Sequence, residues 1–383
     1  MRRVLTFLTA AVLLLGSLGI GVFTADLPFW RRAFQLPLPP DGAYLPVAAI
    51  GNAVPAPLAP IAAGDAGFDP DAIESAAAQA RNAGSRALLV MYRGRLAVER
   101  YFGADDAGTL VPAGLIARPI AAMAIGRALA DGRIHSLNDA VAGTLSEWDD
   151  EPRGKITLRQ LLEETSGLET GGDITQLYRR SPWSDLPHLP RFATSKGVRM
   201  LLGNDFESTA LGFSLGHEVG GFYNVSPANT QIAAVIVERV SGMPYERYVD
   251  EKLWRPLGAG YAELQLDRRS GMPAAHCCWR AAARDVLRVA NLLVSDGVVD
   301  GHAVLPPGWA QEMARASSVH AETGMQLTRS TVAGLEVLVA GDDSGSTFWA
   351  IPGREMAIVN IAGPGGGPIA DLPALLLAAL RAN

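Results

Sequence analysis

Residues Ala113–Ile134 read AGLIARPIAAMAIGRALADGRI. The spacing predicts a central helix whose working end is its N-terminus. Pro119 falls where a first helical turn tolerates proline, because the N–H there has no helical partner. Ala121, Ala122, Ala124, Gly126, Ala128 and Ala130 follow. Small side chains of this kind let neighbouring backbones approach, so the helix should be surrounded on all sides. Asp131-Gly132 supplies the stop signal.

Outward from this helix the chain keeps a consistent pattern. Upstream, Asp69-Pro70 opens a helix that ends at Gly84. The two apolar runs of Arg86–Phe102 flank Arg93-Gly94 and read as a β-hairpin. Downstream, Ile156–Leu168 includes a short amphipathic helix capped by Thr157. Pro, Trp and Gly punctuate long loops between 181 and 222. Ala228–Ser241, Tyr245–Trp254 and Ala281–Ser295 read as helices. Val332–Ala340, Ser346–Ile351 and Glu355–Ala362 read as adjacent antiparallel strands, and Ile369–Arg381 as a closing helix. Strands, then helices, then strands give an α+β class, one sheet built from both ends of the chain.

Composition removes several function classes. Apolar residues make up 49% of the 383 and charged residues 19%, enough apolar content for a large core. The net charge of -6 and the lack of any arginine run argue against a nucleic-acid groove. Six scattered histidines and no CxxC or HExxH spacing imply no metal site. Cys277 and Cys278 are adjacent, a spacing from which no disulfide framework is expected.

The N-terminus carries Arg2-Arg3 and then an uncharged, mostly apolar run, Val4–Ala25. At ~1.5 Å per residue such a run can cross a hydrocarbon core of ~30 Å. A cleaved signal peptide is the competing reading. Phe23 sits where cleavage prefers a small residue, and Leu27-Pro28-Phe29-Trp30 resembles an interfacial aromatic anchor. The expected organisation is therefore an anchor or signal segment at 1–25 and a Pro/Ala-rich linker at 26–66. One domain follows at 67–383, with a sheet part (67–134 and 275–383) and a helical part (135–274). An inner-membrane anchor with a periplasmic domain follows from this, or a secreted domain if the segment is cleaved.

An ordered set of segments then carries a resemblance. LLVMYRGRLAVERYFG precedes the central helix; KITLRQLLEETSGL, NTQIAAVIVERVSGMPYERYVDEKLWRPLG, AARDVLRVANLLVSDGVVDGHAVLPPGW and FWAIPGREMAIVNIAG follow it. Together they resemble the serine β-lactamase and penicillin-binding-protein family, in its class C, esterase and 6-aminohexanoate-dimer hydrolase branch. The resemblance covers about residues 68 to 383. It implies an antiparallel sheet flanked by helices, an inserted helical subdomain, a pocket between them, and no cofactor.

That family's chemistry uses a Ser-x-x-Lys turn, a Tyr-x-Asn or Tyr-x-Ser loop, and a Lys- or His-containing strand ending in Gly. Counted from Gly126, the first pair falls on Leu115 and Arg118. Counted from Ser241-Gly242, the second falls on Val225 and Pro227. Counted from Pro352, the strand motif falls on Asp343-Ser344-Gly345. None of the three lysines has a serine three residues before it. Leucine cannot be acylated, a guanidinium keeps its proton, and valine has none to relay. The expectation is a pseudoenzyme that keeps the fold and binds an envelope-derived small molecule or a protein partner of unknown identity. At the mouth Arg118 is expected to pair with Asp343, with capture of a ligand carboxylate as the alternative.

The alternative is an active hydrolase with a displaced nucleophile. Gly212-Phe213-Ser214-Leu215-Gly216 matches G-x-S-x-G, with His217 beside it, and Tyr223 lies two residues from the tyrosine position. Ser166 reads as a structural serine at a helix end, and His276-Cys277-Cys278-Trp279 as core wall beneath the pocket.

Overall fold

The structure, a computed structural model, describes residues 26–35, 45–172, 189–342 and 344–381. Its strands are β1 (Val47–Ile50), β2 (Ser85–Tyr92), β3 (Arg95–Tyr101), β4 (Leu110–Pro112), β5 (Ala262–Gln265), β6 (Trp279–Ala282), β7 (Val298–Val299), β8 (His302–Ala303), β9 (Thr323–Gly324), β10 (Leu327–Val332), β11 (Leu335–Gly341), β12 (Thr347–Ile351) and β13 (Met356–Ala362). An antiparallel sheet of order β3-β2-β13-β12-β11-β10-β9 joins the predicted early hairpin to the late strands. This is the α+β, β-lactamase/DD-peptidase-like fold that the sequence leads one to expect.

Both faces of that sheet are covered. Along β13 the side chains alternate between two cores, as a period of two requires. Met356 and Ile358 face the helices Pro70–Asn82 and Leu372–Ala378; Ala357, Val359 and Ile361 face the main core. The central helix spans Ala117–Ala130 and is buried from Pro119 through Gly126. It packs on the helix Pro227–Ser241. Gly126 is needed for close approach: a Cβ there would stand 2.3 Å from the Trp309 ring. Asp131 closes the helix and Gly132 follows at φ +69°.

Six expectations need correction. The stretch 181–222, read as long loops, carries the helices Leu189–Thr194, Lys196–Leu202 and Phe206–Leu211 among its described residues; each is too short to show a helical period between its Pro, Gly and cap residues. The one expected sheet is joined by a second, of order β1-β5-β6-β4. The stretch read as a linker contains a helix, Leu27–Ala33, and strand β1, which pairs with β5. A four-residue strand is too short to show a period in the sequence, and β5 itself lies inside the part expected to be helical. Phe29 and Trp30 do not face outward; they are 0% and 4% exposed, because their helix turns that face onto Val198, Leu201 and Leu202. The helix from Tyr245 is α-helical only to Val249, and Asp250–Trp254 continues as a π-helical turn. Cys277 and Cys278 are bridged, with Cys278 in the left-handed region at φ +67°. The segment 1–25 lies outside the described residues. Among the described residues no helix is long and apolar enough to cross a membrane.

Candidate functional site

The turn before the central helix is a single 3-10 turn, Gly114–Ile116. It places Leu115 inward, 2% exposed, within the main core. Three residues on, Arg118 projects from the first turn of the central helix. Its Nε donates to Gln326 Oε1 at 2.8 Å and its Nη2 to Glu164 Oε1 at 2.7 Å. The expected partner Asp343 lies outside the described residues; the described carboxylate partner is Glu164.

Glu164 follows the short helix Leu158–Leu162, whose Thr157–Gln160 capping box fixes its start. It sits at φ +58°, which turns its side chain back under the central helix. The carboxylate is 2% exposed, and every lone-pair direction has a donor. Oε1 takes Arg118 and Gln326 Nε2 (3.0 Å); Oε2 takes the Ser226 N–H (3.0 Å) and Asn229 Nδ2 (2.5 Å). Gln326, also at positive φ, accepts from Thr230 and donates towards the carbonyls of Leu161 and Leu162. One closed network thus joins the start of the central helix, the end of Leu158–Leu162, the start of Pro227–Ser241 and the β9–β10 turn. A buried ion pair of this kind is costly to break by removing one partner, because the other charge stays buried.

A cavity of about 60 Å³ opens beside this network, lined by Leu115, Arg118, Glu164, Tyr223 and Gln326, with the end of β11 opposite. It has room for a few waters or one end of a small ligand, well below the ~300–1,000 Å³ of ordinary small-molecule pockets. The Tyr223 ring lies against His320, centroids 4.7 Å apart. Burial pushes the Tyr223 hydroxyl above its usual range and nearby Arg118 only partly opposes this, so the phenol keeps its proton at neutral pH.

The two other motif positions behave differently. Val225 is exposed and Pro227 is the first residue of its helix, with Ser226 as the preceding cap position. The tyrosine that lines the cavity is Tyr223, not a residue at 225. Gly345 has φ +88°, and a Cβ there would stand 2.7 Å from the Gly367 backbone, so it serves a tight turn.

Ser214 is exposed and sits after the helix Phe206–Leu211; Leu215 makes an isolated bridge with Leu168. A strand-to-helix elbow is therefore not formed. His217 stacks on Phe222, centroids 4.6 Å apart. The polar partner of Ser214 is Lys196, whose Nζ is 3.2 Å from Oγ and 2.6 Å from Glu169 Oε1. Burial pushes the Glu169 carboxyl up, but hydrogen bonds from Lys196 and the Ser214 N–H, with the lysine's charge, bring it below its usual range. That ion pair competes with any role for Lys196 as proton acceptor. Ser166 is buried and donates to Asn229 Oδ1 at 2.6 Å, a structural serine.

Sequence reasoning missed Glu164, Gln326 and the Lys196–Glu169 pair. An acidic pair directly before TSGL, at the end of an apolar helix, was a readable signal for Glu164. Gln326 carries no such signal, since it meets Arg118 across 208 positions.

Comparison with known proteins gives a consistent picture. The family model described as Beta-lactamase matches residues 71–368. The 6-aminohexanoate-dimer hydrolase of Paenarthrobacter ureafaciens is 33% identical over 104 residues, covering 27% of this chain and 26% of that protein. The chain thus matches about a quarter of that relative's length. Among solved structures, a Bacillus anthracis protein provisionally assigned as a 6-aminohexanoate-dimer hydrolase superposes with a TM-score of 0.66 at 17% identity, covering 88% of this chain and 89% of that one. A D-stereospecific amidohydrolase from Streptomyces sp. gives 0.59 at 19%, covering 82% and 98%. At such identities these structures speak for the fold alone.

Proposed function

The chain belongs to the beta-lactamase family, and from that premise we propose that it is a member without the family's serine chemistry, retaining the site as a small binding pocket. The observation that carries this reading is the Leu115–Arg118 turn. An inward leucine stands at the nucleophile position, and the residue at the base position is a guanidinium engaged by Glu164 and Gln326. Loss of one member of a cooperating nucleophile set costs several orders of magnitude in rate. Here the serine and the lysine are both replaced. The pocket, with a partly exposed Arg118 and a protonated Tyr223 facing it, suits a small polar or anionic group of an envelope-derived molecule. The Val4–Ala25 run supports placing the domain in the cell envelope, on the periplasmic side of an inner-membrane anchor.

The test has two arms. Fluorescent penicillin and a fluorophosphonate should leave the full chain unlabelled. Thermal-shift screening with cell-wall fragments should find a ligand that raises Tm in the native chain and not in Arg118→Met. Stoichiometric labelling would overturn the reading.

A second reading is favoured by one contact, Lys196 Nζ at 3.2 Å from Ser214 Oγ. In it, Ser214 is a displaced nucleophile. Labelling that disappears in Ser214→Ala and in Lys196→Met would establish it.

A further inference from the structure

The helix Leu27–Ala33 has two unlike faces. Its inner face is fixed to the body. Phe29, Trp30 and Ala33 pack on Val198, Leu201 and Leu202. Asp26 pairs with Arg199 at 2.7 Å, and the Arg199 guanidinium also lies 4.9 Å over the Phe29 ring. Arg32 donates to the Leu202 carbonyl at 3.0 Å and also to the carbonyls of Gly203 and Asp267. The outer face carries Leu27, Arg31 and Phe34, spaced i, i+4 and i+7, which places them on one stripe. Leu27 is 61% exposed, Phe34 57%, and Arg31 is exposed between them.

The sequence ahead of this stripe explains its composition. Val4–Ala25 has no charged residue and ends at Asp26, the residue that caps this helix. Two large apolar side chains with a cation between them match the boundary layer of a bilayer. The apolar groups enter the acyl boundary and the guanidinium reaches anionic headgroups.

We propose that the Leu27–Arg31–Phe34 stripe lies in the headgroup layer of an anionic bilayer, and that the inner face clamps the domain there in one orientation. This rests on the reading of Val4–Ala25 as a retained anchor. The clamp also reaches the site. Cys277 and Cys278 pack against the same cluster as Phe29 and Trp30. The Cys278 backbone nitrogen is 3.6 Å from where a Cβ of Gly114 would stand, one residue before Leu115. The turn that fills the nucleophile position is thereby held at a fixed relation to the lipid surface, which suits a ligand presented at that surface.

The test uses the full chain in nanodiscs of phosphatidylcholine and phosphatidylglycerol, with the native cysteine pair kept oxidised. An NBD fluorophore is attached at Leu27→Cys, at Phe34→Cys, or at His302→Cys, an exposed control between β7 and β8. Shallow doxyl lipids should quench positions 27 and 34 at least threefold more than 302. Adding Arg31→Glu should reduce that quenching at least twofold. Equal quenching at all three positions overturns the proposal while leaving the anchor in place. Shielding that tracks protein concentration and not doxyl lipid assigns the stripe to a second copy of the chain, and also overturns it. A chain that does not enter the discs at all overturns the anchor reading, and this one with it.

Discussion

Replacing Arg118 by methionine asks whether the guanidinium is structural. The substitution keeps much of the aliphatic volume and removes the charged donor to Glu164. That carboxylate is 2% exposed and retains three donors, Gln326, Ser226 and Asn229. Stripping one partner from a buried pair costs ~3–5 kcal/mol. Arg118 is itself 33% exposed, so water screens part of the pair, and about 2 kcal/mol is the expected loss. Glu164→Gln should cost a similar amount, because its NH2 group must face donors on one side, either Arg118 and Gln326 or Ser226 and Asn229. The double variant should recover about 1–2 kcal/mol of the summed loss, since neither charge is then left alone. Arg118→Lys should recover only part of the single loss: an ammonium can reach Glu164 but does not reproduce the fork to Gln326. Urea unfolding read as the midpoint at constant slope gives all four values. Additivity within about 0.5 kcal/mol would refute the coupling, and a neutral Arg118→Met would refute the structural role.

Gly126→Ala should destabilise by about 1–3 kcal/mol in the same assay, because the added methyl meets the Trp309 ring; an unchanged midpoint would mean the ring yields freely. His276 gives a pH signature. Burial lowers it to about 4, and its Nδ1 meets the Gln231 amide oxygen, which also takes the Ala275 N–H, so the neutral ring donates there. A depressed histidine adds stability that is present above its unfolded value of ~6.5 and lost as pH falls from there towards 4, by at most about 3 kcal/mol. Urea midpoints at pH 7 and 4.5 should therefore differ less in His276→Asn than in the native chain, and an unchanged difference would contradict the assignment.

Much of the fold is legible in the sequence because it is local. The Arg93-Gly94 hairpin, the alanine-rich central helix with its Asp131-Gly132 stop, and the late strands each announce themselves by spacing. The turn before the central helix is legible for the same reason, since Leu115 and Arg118 lie a fixed count from Gly126. The rest is not local. Arg118 finds Glu164 and Gln326 across 46 and 208 positions, and both partners turn towards it through positive φ values that no residue pattern marks. Tyr223 enters the cavity from a position two residues away from the one the count selects. Phe29 and Trp30 resemble an interfacial anchor, yet the pairing of Asp26 and Arg32 with the body turns them inward and leaves Leu27 and Phe34 outside.

The central claim is that this family member forms no acyl-enzyme. Intact-mass spectrometry of the full chain, after incubation with penicillin and separately with a fluorophosphonate, tests it most directly. The mass should be unmodified in both cases, for the native chain and for Ser214→Ala alike. A stoichiometric adduct on the native chain would contradict it, and the adducted residue would identify the nucleophile.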